Sequence, residues 1–203
     1  MSEVRAFLFD FDGVMTRTGV KNDPAARLGE TTGLDAAFVR QALWSDELWP
    51  PYIRGTLDDK TFWERMQQRL RMEIREDQRN IWSDWSQLQP VPEMIDLVYR
   101  VREAGYPAGL LSNATPTTAA DLRAHGAYDI FDFAIISCET GGLAKPDREI
   151  YERAMAQLPH VEPHEVAYID DQERCLAPAR ELGMHAILAQ STPQILADTQ
   201  ALM

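Results

Sequence analysis

Cysteine is scarce, with Cys138 and Cys175 the only two among 203 residues. Neither belongs to a Cys-x-x-Cys pair, and two thiols in so long a chain build no disulfide framework, so a reducing, cytoplasmic setting is expected. The four histidines are scattered. His160 and His164 stand at helical spacing, but Pro159 and Pro163 would break the helix needed to align them, which argues against a histidine metal site. Positive charge is also short: 20 Lys and Arg against 32 Asp and Glu leave a formal charge of −12. A field of that sign repels polyanions, and with no basic cluster to offset it, nucleic acid is not an expected partner. No apolar run approaches the roughly 20 residues that a membrane-spanning helix needs. Asp10 and Asp12 interrupt the apolar N-terminal run, so neither a signal peptide nor a membrane anchor is expected.

What the chain does hold is an ordinary balance of 45% hydrophobic and 26% charged residues. Its length suits one good core, or one core domain carrying a smaller insert. Short apolar runs suited to buried strands lie at Val4 to Phe9, Pro107 to Leu111, Phe133 to Ile136, Val166 to Ile169 and His185 to Leu188. Helical periodicity separates them at Glu93 to Glu103, Thr117 to His125, Arg148 to Gln157 and Cys175 to Leu182. Such alternation predicts right-handed crossovers and an α/β fold with a doubly wound, Rossmann-like parallel sheet.

From about Thr16 to Gln89 the pattern changes to helix-like segments near Asp35 to Trp44, Asp59 to Met72 and Asp77 to Trp85, with no convincing strand. The shift predicts an inserted α-helical domain over 16–89 within a core domain of 1–15 and 90–203, hinged near Thr16 to Lys21 and Gln89 to Pro92. All five tryptophans, Trp44, Trp49, Trp63, Trp82 and Trp85, fall in the insert and are expected to form its core. Arg54 and Gly55 belong to a loop that either reaches the active site or leaves a solvated arginine.

Ligands of an open parallel sheet bind beyond the carboxyl ends of its strands, so the residues directly after each apolar run are informative. Asp10 and Asp12 follow the first run, Ser112 and Asn113 the second, and Asp170 and Asp171 the fourth; Lys145 precedes a helix. Taken singly these are common turn carboxylates, helix caps and a surface lysine. Together they form a chemical set. A carboxylate is a competent nucleophile for phosphorus, a second acid can handle the proton, and Gly13 permits the turn that brings both to one pocket. Ser112 and Asn113 at a strand-to-helix turn offer an anion site, and Lys145 adds a point charge. A lysine before the first turn of a helix opposes the helix dipole, so an anion is expected between them. Asp10 with the Asp170–Asp171 pair suits Mg²⁺, which favours a few carboxylates plus substrate phosphate.

On these residues the chain resembles the haloacid dehalogenase-like (HAD) superfamily over nearly its whole length. The four motifs occur in order as Asp10-Phe11-Asp12-Gly13-Val14, Leu110-Leu111-Ser112-Asn113, Lys145-Pro146-Asp147 and Tyr168-Ile169-Asp170-Asp171. The resemblance implies Asp10 as nucleophile and metal ligand, and Asp12 as general acid/base with its backbone carbonyl on the metal. It implies Ser112 and Lys145 on the phosphoryl oxygens, with Asp171 of the fourth motif on Mg²⁺ and Asp170 orienting or sharing the ion. The insert looks like the family's helical C1 cap, which closes over the active site and tends to set substrate choice. Sugar-phosphate phosphatases and the N-terminal phosphatase domain of epoxide hydrolases are similar in their Asp-Asp fourth motif. That subgroup usually has Asn where this chain has Cys175, so a supporting contact is expected to be absent.

The function expected is Mg²⁺-dependent hydrolysis of a small phosphorylated metabolite, sugar phosphates included, through an aspartyl-phosphate. A phosphosugar mutase would re-use that intermediate. A 2-haloacid dehalogenase is disfavoured by Asp12, because the family's dehalogenases replace it. A catalytically silent binding protein is disfavoured because Asp10, Asp12, Lys145 and Asp171 are all present. Monomer and homodimer remain equal alternatives.

Overall fold

The computed structural model describes residues 3–17, 23–79, 81–82 and 89–203. The expected hinge residues 18–21, the end of the expected helix from Asp77 to Trp85, and Trp85 itself lie outside this set. Five strands, β1 (Ala6–Phe9), β2 (Ala108–Ser112), β3 (Phe133–Ile136), β4 (Val166–Asp170) and β5 (His185–Leu188), form one sheet in the order β3-β2-β1-β4-β5. All pairings are parallel, with Phe7 opposite Ala108 on one side and Ala167 on the other.

β1 is buried throughout because both faces of the sheet are covered. Alternate side chains divide between two cores, as the period of two requires. Phe7 and Phe9 pack with α5 (Pro92–Glu103), α6 (Pro116–Ala124) and α9 (Thr192–Leu202). Ala6 and Leu8 pack with α7 (Arg148–Met155) and α8 (Glu173–Leu182). Connections leave β1 toward β2 and leave β4 toward β5, in opposite directions, which opens a crevice at the carboxyl ends of these two neighbours.

Residues between β1 and α5 build a helical layer of α1 (Pro24–Thr32), α2 (Ala36–Leu43), α3 (Trp49–Ile53) and α4 (Asp59–Leu70). Asp23, Asp35 and Asp58 cap α1, α2 and α4 by accepting first-turn backbone N–H groups. This layer has a third core of its own, centred on Leu28, Leu43, Phe62, Trp63 and Met66. α1 and α3 are additions to the expected helices. From Asp77 the described residues give a 3-10 turn, Glu76–Gln78, in place of the helix expected there. The reason is Gln78, whose amide is drawn inward to donate to the Thr31 carbonyl at 2.7 Å while its oxygen accepts from Arg75 N–H at 2.9 Å. The two chain crossings run side by side: Arg17 N–H bonds the Gln89 carbonyl and Val91 N–H bonds that of Met15, each at 2.9 Å. No helix among the described residues is long and apolar enough to cross a membrane.

Candidate active site

The crevice between β1 and β4 holds the charged groups. Asp10 leaves β1 with its N–H still bonded to the Ile169 carbonyl at 2.8 Å, so it is fixed at the carboxyl end of the sheet's central strand. Its Oδ1 accepts from Phe11 N–H at 2.7 Å and from Lys145 Nζ at 2.8 Å. The ammonium of Lys145 reaches Asp170 Oδ2 at 2.7 Å as well. Asp10, Lys145 and Asp170 are all buried, so this is a desolvated triad in which two carboxylates share one cation. The protein's own anions facing Lys145 are Asp10 and Asp170.

Asp170 is spent on structure: its carboxylate also accepts from the Tyr168 hydroxyl and from Gln172 N–H. Asp171 is different, since its Oδ1 is buried with no hydrogen-bond partner among the described residues. One oxygen each from Asp10, Asp170 and Asp171 lie within 4.8 Å of one another. Asp12 stands at the solvent side with its carboxylate accepting from the Thr16 hydroxyl at 3.0 Å. Its side chain is not part of the three-carboxylate cluster.

Burial raises the pKa of Asp10, against the pull of Lys145. Asp12 is raised chiefly because neighbouring atoms crowd its carboxyl, although the residue as a whole is solvent-accessible. Burial and then the negative charges of Asp170 and Asp12 raise Asp171. For Lys145 burial works against the charge, but Asp10 and Asp170 outweigh it and the pKa rises. Asp10, Asp170 and Asp171 therefore cluster beside one ammonium, and the excess negative charge with an orphaned carboxylate oxygen fits a hard divalent cation.

Ser112, at the end of β2, is buried and lines the same cleft. Asn113 also lines the cleft, and its side chain braces the neighbouring loop. Its Oδ1 accepts from Lys145 N–H and its Nδ2 donates to the Lys145 carbonyl, both at 2.9 Å, which clamps the loop that presents the ammonium. The Lys145–Pro146 peptide is cis. Cys175, in place of the usual Asn, is buried in the cleft wall, and burial pushes its thiol up to about 11, so it stays protonated at neutral pH.

The helical layer roofs the cleft, a cavity of about 450 Å³. Of the four described tryptophans, Trp63 and Trp82 belong to the core of the helical layer as expected and Trp49 packs against it, whereas Trp44 is exposed; Trp44, Trp49 and Trp82 also line the cleft. Neither proximity nor facing direction of these rings was legible from spacing, because they come from three separate segments. Two unanticipated contacts seat the roof. Ser137 Oγ donates to the Ile53 carbonyl at 2.7 Å while accepting from Ala114 N–H at 3.1 Å. Arg54 forms a two-pronged ion pair with Asp147 and also donates to the Gly142 carbonyl at 3.1 Å. Gly55, at φ +69°, lies so close to the Cys138 carbonyl that a Cβ would stand 1.9 Å from its oxygen. The arginine reaches the mouth of the cleft but is bound to the loop of Lys145.

A family model described as haloacid dehalogenase-like hydrolase matches residues 4–183. The chain belongs to this family. Similarity of fold extends to a HAD-like family hydrolase of Porphyromonas gingivalis, at TM-score 0.80 and 23% identity over 99% of this chain and 98% of that one. A HAD family enzyme of Bacteroides thetaiotaomicron, solved with magnesium and inorganic phosphate, superposes at TM-score 0.76 and 21% identity, covering 93% and 96%. Among curated relatives, bifunctional epoxide hydrolase 2 of Sus scrofa is 41% identical over 80 residues, 39% of this chain. The matched stretch spans only 13% of that protein's length. Sesquiterpene phosphatase astK of Aspergillus oryzae is 23% identical over 69% of this chain and 71% of its own. As a HAD-like hydrolase the protein is an enzyme.

Proposed function

We propose that this HAD-like hydrolase is a Mg²⁺-dependent phosphatase of a small phosphorylated metabolite. The observation that carries the reading is the Asp10–Lys145–Asp170 triad, set beside an unpartnered Asp171 oxygen at the sheet's switch point. The magnesium and phosphate bound by the Bacteroides relative, and the phosphatase activity in the name of the Aspergillus relative, support it.

Asp10, Asp171 and, less directly, Asp170 would hold the ion, with Asp12 contributing its backbone carbonyl. When bound, Mg²⁺ neutralises charge on the phosphoryl oxygens and on the nucleophile. Asp10, held in one orientation by Phe11 N–H and Lys145, attacks phosphorus as the ester P–O bond breaks, giving an aspartyl-phosphate. Asp12, whose pKa burial raises, delivers its proton to the departing alcohol oxygen. Now a carboxylate, it takes a proton from water, which displaces phosphate from Asp10 and restores the start. Lys145 and Ser112 hold the phosphoryl oxygens, Asn113 holds Lys145, and Asp170 holds the ammonium on station.

The helical layer of 16–89 is read as a C1 cap on a core of 1–15 and 90–203. The paired crossings at Met15–Arg17 and Gln89–Val91 support hinges at those points. The test is phosphate release across phosphorylated metabolites, with and without Mg²⁺, alongside Asp10→Asn. Release that needs Mg²⁺ and vanishes in Asp10→Asn is expected; an equally active Asp10→Asn variant would sink the mechanism.

A further inference from the structure

The floor and the roof of the cleft differ sharply in chemistry. The floor is charged and hydrogen-bonding, through Asp10, Asp12, Ser112 and Lys145. Above it, Trp44, Trp49 and Trp82 with Pro24, Pro50 and Ile53 present a largely apolar surface, while on the wall Arg174 Nε donates to Gln172 Oε1 at 2.9 Å. The rings form a continuous run, with Trp49 6.0 Å from Trp44 and 5.5 Å from Trp82 between centroids. The indole nitrogen of Trp82 is closed off from solvent, so that ring does not present its N–H to the cleft. The roof's arginine, Arg54, already serves Asp147 and the Gly142 carbonyl. The hydroxyls of Thr115 and Thr118 on the side wall bond each other at 3.0 Å.

We infer that the leaving group is an apolar alcohol, an alkyl chain or hydrocarbon ring, in contrast to a sugar or nucleoside. The inference rests on the phosphatase reading of the same cleft. A polyhydroxylated leaving group buried under this roof would lose water from each hydroxyl and find few groups to replace it, which is costly. An apolar one gains by leaving water and by contact with the tryptophan faces. The cavity of about 450 Å³ is in the range of sites that enclose a whole small organic molecule, well beyond the phosphate alone.

The test is the rate of phosphate release from n-alkyl monophosphates, ethyl to decyl, against glucose 6-phosphate, with Mg²⁺ and below micelle-forming concentrations. All are esters of primary alcohols, so leaving-group acidity varies little. Expected is a rise in kcat/KM of about fourfold per methylene until the cleft is full, with the long esters exceeding glucose 6-phosphate. Binding of the matching non-hydrolysable alkylphosphonates, followed by tryptophan fluorescence, should tighten with the same dependence. In a Trp44→Ala, Trp49→Ala double variant both slopes should flatten. Equal rates across the alkyl series, a preference for glucose 6-phosphate, or unchanged slopes in the double variant would overturn the proposal. Phosphonate binding that tightens with chain length but no hydrolysis of any ester would uphold the apolar subsite and refute the phosphatase reading. Hydrolysis with no dependence on chain length would do the reverse.

Discussion

Gly13 and Asp171 touch across the crevice so closely that a Cβ on Gly13 would stand 2.3 Å from Asp171 Oδ2. Gly13 also has φ +80°, a conformation that costs an L-residue with a side chain about 1–2 kcal/mol. Gly13→Ala should therefore lose stability by that order and also push the Asp171 carboxylate aside. Urea unfolding measures the first effect. A raised Mg²⁺ requirement for phosphate release measures the second, and an unaltered Mg²⁺ requirement would contradict the assignment of Asp171.

The two acids of the fourth motif separate by their partners. Asp170 is tied to Lys145, Tyr168 and Gln172, whereas Asp171 Oδ1 has no partner among the described residues. Asp171→Asn should leave the metal-free protein nearly as stable as the parent while shrinking the rise in Tm that Mg²⁺ produces by binding the folded state. Asp170→Asn should lower Tm without metal. Thermal melts with and without Mg²⁺ decide it, and the reverse pattern would exchange the two roles.

Lys145→Met leaves Asp10 and Asp170 buried without their shared cation, a loss expected to cost about 3–5 kcal/mol while both stay ionised. Carboxylates escape that penalty by taking up protons. Asp10 is already raised to about 7 against the pull of Lys145, so the deficit relative to the parent should shrink as pH falls from about 9 toward 7 in metal-free urea unfolding. A constant deficit would mean that lost packing, not lost charge, is responsible.

Arg54 holds the Asp147 carboxyl below its ordinary range, with a backbone bond from Ala144 N–H adding to the effect. A depressed folded-state pKa gives stability that is fully present above the unfolded value and is lost as pH falls through the folded one. The pair is partly exposed, so Arg54→Ala should cost at most about 1 kcal/mol at pH 7. The difference between variant and parent should fade below about pH 4 in chemical denaturation. A difference that persists there would point to the Gly142 carbonyl contact instead.

Much of the architecture was legible beforehand because its signals are local. Five apolar runs and four core helices fell where β1 to β5 and α5 to α8 form, since a strand buried on both faces needs a continuous apolar run. Asp10 and Asp171, which the structure brings together, could be picked out as neighbours because the carboxyl ends of adjacent parallel strands meet at one crevice. The bracing role of Asn113 was not legible. Nothing in its neighbourhood reveals that both ends of its amide close on the backbone of Lys145, 32 residues away.

The sequence by itself determined the fold class, the family and the set of charged groups, because period, punctuation and motif order are properties of short segments. Only the tertiary structure decided which acids pair with Lys145, that Ser137 and Arg54 seat the roof, and that Trp44, Trp49 and Trp82 line one cleft with Asp10. These relationships join residues from separate segments. Burial and partnership are set where the segments meet, and spacing along the chain carries no record of that.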